Sequence, residues 1–182
     1  MSAYVVLPGI GGSGPAHWQT QWEQADARMQ RFVPASWDEP ELDDWIAALD
    51  CAVAQAPEPP VLIAHSLACL LVAHWSARST LPVRGALLVA PPDPDEDAFP
   101  DEARGFANPP VSLLRFPSML IASTDDPYGP IDYAQRRAGQ WGCQFVEAGA
   151  LGHINGASGL GNWAWGREQL GRFEETLSVA QR

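Results

Sequence analysis

Lysine is absent: all 11 basic residues of the 182-residue chain are arginine, set against 22 acidic ones, for a formal net charge of −11. The arginines form no basic stripe. Such a chain lacks the phosphate-neutralising face that nucleic-acid binding needs, and anionic lipid would repel it. No nucleic-acid partner and no membrane association are expected. Cysteine is scarce as well. Cys51, Cys69 and Cys143 are odd in number, with no Cys-x-x-Cys pair and no Cys/His ligand spacing, so neither a disulfide scaffold nor a metal site is expected. No apolar run approaches the roughly 18 residues that would span a bilayer. The first residues also lack the basic start and apolar core of a secretory signal. The expected location is the cytoplasm. Apolar residues make up 46% and charged residues 18%, which excludes a disordered chain.

The pattern that is present alternates two periods. Ala3 to Leu7, Val61 to Ala64, Gly85 to Ala90 and Met119 to Ala122 are short apolar runs without polar alternation. Such runs fit strands covered on both faces, as in a parallel sheet. Weaker strand candidates are Arg31 to Pro34 and Gln144 to Glu147. Between them, helical spacing covers His17 to Met29, Leu42 to Ala54, Leu67 to Ala77, Ile131 to Trp141 and Trp163 to Ala180. Strands alternating with helices predict an α/β fold, and right-handed crossovers place helices on both faces of a mostly parallel sheet. The length suits a single domain over 1–182. The proline-rich, acidic stretch Pro91 to Pro117 breaks the rhythm and reads as a surface excursion, either a plain connection or a lid.

In an open parallel sheet, ligands bind beyond the carboxyl ends of the strands. The run Val61 to Ala64 ends in His65-Ser66-Leu67-Ala68, where a helix begins at once. A serine on such a turn projects its hydroxyl above the sheet, and the residues two places before and after it must be small. Here those places hold Ala64 and Ala68 rather than the usual glycines, and Ser66 could equally be an ordinary helix cap. Two later strand ends bear on the choice. Met119 to Ala122 runs into the carboxylates Asp125 and Asp126, and Gln144 to Glu147 leads to a glycine-rich loop with His153. The order Ser, Asp, His is that of the α/β-hydrolase triad. A serine hydroxyl needs a base to remove its proton during attack; His153 is the candidate base, and a carboxylate would orient it. An oxyanion would need two backbone N–H donors. Leu67, directly after the serine, and Ile10, in the loop Gly9-Ile10-Gly11-Gly12-Ser13-Gly14, are the candidates. That loop could instead cradle phosphate, but no acidic partner closes a clear second strand and no Walker lysine exists.

The chain resembles the small cap-less α/β-hydrolase family of serine hydrolases, those like the retinoblastoma-binding serine hydrolase. The likeness rests on LPGIGGSGPAHWQTQWE at Leu7 to Glu23, His65-Ser66, STDDPYGP at Ser123 to Pro130, and GHINGASGLGNW at Gly152 to Trp163. The resemblance implies a three-layer fold on a trimmed sheet of about six mostly parallel strands. It implies Ser66 as nucleophile, Asp126 (the acid directly before Pro127) as orienting group and His153 as base. It also implies hydrolysis of small esters or amides with no cofactor and no metal. No L-x-C-x-E sequence occurs, so retinoblastoma-protein binding is not implied.

The main functional expectation is a serine hydrolase, a carboxylesterase of small esters acting through an acyl-enzyme on Ser66. The alternative is a catalytically silent protein that uses this fold for binding, a reading that the substituted elbow glycines favour. Beside Asp126, its rival Asp125 reads as a solvated or loop-capping residue, and His17 holds the first loop or touches substrate. His65 and Cys69 pack, His74 is a plain helix residue, and Trp163 and Trp165 pack or wall an acyl pocket. Oligomeric state is left open.

Overall fold

The structure, a computed structural model, describes residues 2–180. Six strands form one sheet: β1 (Tyr4–Leu7), β2 (Met29–Arg31), β3 (Val61–His65), β4 (Gly85–Val89), β5 (Ser118–Ala122) and β6 (Gln144–Glu147). Their order is β2-β1-β3-β4-β5-β6, and every pairing is parallel. Among the described residues, five α-helices accompany them: α1 (Trp18–Ala25), α2 (Leu42–Gln55), α3 (Leu67–Arg78), α4 (Ile131–Trp141) and α5 (Ala164–Ala180).

Strand alternation explains why the central runs are apolar throughout. Val5, Leu7, Leu62, Ala64, Leu88 and Leu120 point to one face, where α2, α3 and α4 cover them with Trp45, Trp75 and Trp141. Val6, Ile63, Leu87, Val89 and Ile121 point to the other, under Trp18 and Trp22 of α1 and Phe173 and Leu177 of α5. The four central strands thus have two buried faces and no place for a polar period. This is the three-layer α/β-hydrolase arrangement. Among the described residues, no helix is long and apolar enough to cross a membrane.

Three expectations need correction. The second strand is Met29–Arg31, not Arg31 to Pro34: Met29 to Arg31 pair with Tyr4 to Val6, and the chain leaves the sheet after the Phe32 N–H meets the Val6 carbonyl. Helix α1 stops at Ala25 rather than Met29. The Asp26 carboxylate takes the Arg28 N–H at 3.1 Å and its guanidinium at 2.8 Å, a local turn that competes with the helix. The Pro91 to Pro117 stretch is also no mere surface connection. Residues 101–106 form a short 3-10 helix, and Phe99, Ala103 and Phe106 are buried in the core.

Candidate active site

Because all six strands run the same way, their carboxyl ends share one edge. Ser66 stands where β3 turns into α3, with φ 56° and ψ −125°. A positive φ at a residue with a Cβ costs of order 1–3 kcal/mol and persists only where its surroundings enforce it. Here the Ser66 N–H is held by the Val89 carbonyl at 2.9 Å, and Ala64 and Ala68 are fully buried against the core. Ser66 makes no side-chain capping bond to its own helix. Its hydroxyl instead lies 2.8 Å from His153 Nε2. The ordinary cap reading is thereby removed.

The imidazole of His153 continues the chain. Its Nδ1 is 2.9 Å from both carboxylate oxygens of Asp126, whose side chain is 2% exposed. The neutral tautomer that satisfies both contacts has Nδ1–H donating to Asp126 and Nε2 accepting from the Ser66 hydroxyl. Asp126 Oδ1 also accepts the Tyr128 N–H at 2.9 Å, which fixes the carboxylate plane. Asp125 does something else. It is exposed, accepts from the Ser123 hydroxyl and the Gly152 N–H at 2.8 Å each, and so ties the β5 loop to the β6 loop. Those two bonds hold its carboxyl below the ordinary range.

The loop carrying His153 is fastened from several sides. His65 Nε2 donates to the His153 carbonyl at 2.9 Å, and Trp18 Nε1 donates to the Ile154 carbonyl at 2.8 Å. Ile154 is fully buried at φ 48°, a strained setting for a β-branched residue. The Tyr128 ring rests 4.6 Å from the imidazole, centre to centre.

The first loop bends back over the elbow. A Cβ at Gly9 would lie 3.0 Å from Ser66 Cβ and 3.2 Å from the His65 carbonyl oxygen, so only glycine lets the backbone pass there. Ile10 and Leu67 line the same cavity. As the first residue of α3, Leu67 has no intrahelical acceptor for its N–H.

Sequence reasoning passed over Gln19. It is fully buried, and its amide donates to the Leu7 carbonyl at 3.1 Å and the Ile63 carbonyl at 3.0 Å, where β1 and β3 end. Its oxygen accepts from Ser13 at 2.7 Å. One side chain thus braces the first loop against both strands. A glutamine at helical spacing among tryptophans was the only hint of it.

His17 caps α1, its Nδ1 accepting the Gln19 N–H at 3.1 Å. Burial, then the electrostatic influence of Arg31 and His153, lowers its pKa to about 4. His65 is held well below its ordinary value, mainly by burial. Unfolded histidine takes up its proton near pH 6.5. Between about 6.5 and about 4 the unfolded chain therefore binds more protons, and stability falls as pH drops through that window. For His17 the full loss is roughly 3 kcal/mol. His17→Asn keeps a capping acceptor and cannot titrate. Thermal melts at neutral and acid pH are expected to show a smaller drop in Tm for this variant than for the wild type; an equal drop would contradict the linkage.

The remaining candidates sit elsewhere. Cys69 is buried behind the elbow with its thiol on the Val89 carbonyl at 3.3 Å, and burial pushes its pKa upward. Trp163 is buried against Trp18 and Trp22, and Trp165 packs on Trp163; neither lines the cavity. His74 Nε2 donates to the Phe106 carbonyl at 3.0 Å. Among the described residues, no group of three or more His, Cys, Asp and Glu is placed to hold a metal ion.

Comparison with known proteins gives one family. The family model described as serine hydrolase matches residues 4–172. A putative YdeN-like hydrolase from Pectobacterium atrosepticum is 31% identical, with a TM-score of 0.87 over 97% of this chain and 92% of its own. The ydeN gene product of B. subtilis is 19% identical, with a TM-score of 0.78 over 96% of this chain and 100% of its own. A thermophilic esterase from Thermogutta terrifontis is 13% identical, with a TM-score of 0.69 over 97% of this chain and 91% of its own, a likeness of fold alone. No curated protein sequence matches the chain.

Proposed function

Since this chain belongs to the serine hydrolase family and is a hydrolase, we propose that it is a carboxylesterase of small esters, with Ser66 as nucleophile, His153 as general base and acid, and Asp126 as its orienting partner. The observation that carries the reading is the continuous contact from hydroxyl to imidazole to buried carboxylate, 2.8 and 2.9 Å long, on a strained strand-to-helix turn.

As Ser66 Oγ attacks the ester carbonyl, its proton passes to His153 Nε2, and Asp126 stabilises the imidazolium. The carbonyl oxygen gains the negative charge and is met by the N–H groups of Ile10 and Leu67. The C–O bond to the alcohol breaks, the proton on Nε2 goes to the departing oxygen, and Ser66 is left as an acyl ester. Water, deprotonated by His153, attacks that ester, and Ser66 regains its proton as the acid leaves. No cofactor enters any step. The three free cysteines, Cys51 exposed among them, fit a reducing compartment and support a cytoplasmic location.

An acyl-enzyme pathway predicts a burst. Mixing the protein with excess p-nitrophenyl butyrate is expected to release nitrophenolate rapidly, in an amount stoichiometric with protein, before the steady rate. That holds if deacylation is the slower half; if acylation is slower, methanol competing with water for the shared acyl-enzyme is expected to give the same methyl butyrate-to-butyrate ratio from phenyl and p-nitrophenyl butyrate. Observing neither a burst nor a ratio independent of the leaving group would contradict the pathway.

A further inference from the structure

The cavity at Ser66 has a volume of about 340 Å3, at the low end of the roughly 300–1,000 Å3 of small-molecule pockets. Its lining is mixed in chemistry. Ser13, His17, Tyr128 and Asn155 supply polar groups, whereas Pro92, Phe99, Pro100 and Ala103 form an apolar wall. Among the described residues, no Arg, Asp or Glu lines it.

The apolar wall comes wholly from residues 91–117, and that segment is anchored. The Phe106 ring meets Trp45 edge-on at 5.3 Å, and the Phe106 carbonyl takes the bond from His74. The Arg104 guanidinium donates to the Pro94 carbonyl at 3.0 Å and lies 5.4 Å over the Phe99 ring. Phe99 and Ala103 are themselves buried. The wall therefore presents a fixed depth.

A second, more open cleft of about 370 Å3 is lined by His153 together with Pro127, Leu151 and Ala157. Both spaces share Tyr128, His153 and Asn155 as their boundary. The proton on His153 Nε2 must reach the departing oxygen, so the leaving group lies on the imidazole's side of the carbonyl carbon and the acyl chain on the other.

Given Ser66 as nucleophile, we infer that the walled cavity holds a short, uncharged acyl group, that Phe99 and Ala103 set its length, and that the alcohol projects into the cleft beyond His153. An acyl carboxylate would be buried with no cation to meet it. Long acyl chains would have to displace a wall tied into the core.

The test is kcat/KM for p-nitrophenyl acetate, butyrate, octanoate and monosuccinate, which share one leaving group. The wild type is expected to favour butyrate over octanoate and over monosuccinate by about fivefold or more each. Phe99→Ala is expected to lower the butyrate-to-octanoate ratio about fivefold or more, and Ala103→Leu to lower the butyrate-to-acetate ratio by as much. Phe99→Leu repeats the first measurement if the alanine variant does not fold. A residue that only supports the fold would scale all four esters alike. Smaller changes in these ratios, or a wild type that accepts the monosuccinate as readily as the butyrate, overturn the inference while leaving the proposed reaction standing. A wild type that none of the four acylates at Ser66 overturns both.

Discussion

Ser66→Ala is expected to lower kcat for p-nitrophenyl butyrate by about 10⁴-fold or more, to a residual rate supported by binding and the backbone donors alone. Alanine keeps the Cβ that the elbow already accommodates and removes only the oxygen facing His153. The backbone bonds that hold the turn, Ser66 N–H to Val89 and Cys69 N–H to the Ser66 carbonyl at 2.8 Å, do not involve that oxygen. The Tm should therefore stay close to the wild-type value, so that lost activity cannot be put down to unfolding. A loss below about tenfold in a folded variant would remove Ser66 from the reaction, because a true nucleophile has no substitute at that position.

The second large effect separates two neighbouring carboxylates. Asp126→Asn is expected to lower kcat/KM by about 10³- to 10⁴-fold. Its Oδ1 can still accept the Tyr128 N–H, so the loop keeps its shape. Its amide, however, would donate to His153 Nδ1 and force the imidazole proton onto Nε2, where the Ser66 hydroxyl needs an acceptor. Asp125→Asn retains an acceptor for both Ser123 and Gly152, and Asp125 is exposed. Its expected loss is under about tenfold. Steady-state rates of the two variants on one ester decide the matter; equal losses would leave the choice of acid unsupported.

The layout of the fold could be read from the chain because burial on both faces leaves a plain signature. A run such as Val61 to Ala64 has no polar period, and helix α4 starts and stops where its pattern does. The edge of the sheet was harder. In β2 only Met29 is buried, while the more strand-like Val33 is 76% exposed, so apolar character pointed to the wrong residues. The stretch 91–117 was misjudged because prolines and acids outnumber its anchors. The buried Phe99, Ala103 and Phe106 are spaced four and three apart, a weak helical signal within a breaker-rich segment.

At the site, residue type, order and strand-end position nominate Ser66, His153, Ile10, Leu67 and one of two carboxylates; the choice of Asp126 comes from the family resemblance. What a linear pattern does not carry is which remote groups hold them. Gln19 reaches a carbonyl 44 positions away and His65 one 88 positions away. Asp125 and Asp126 are also identical in type and adjacent in sequence, and in the structure their hydrogen-bond partners distinguish them.

The proposed reaction requires a hydroxyl, an imidazole and a carboxylate from three separate strand ends to make one reactive alcohol. Peptide mapping after treatment with a fluorophosphonate tests it most directly. A single phosphonyl adduct on Ser66 is expected, formed far more slowly in His153→Ala. An adduct on another residue, or equally fast labelling of Ser66 without the imidazole, would contradict it.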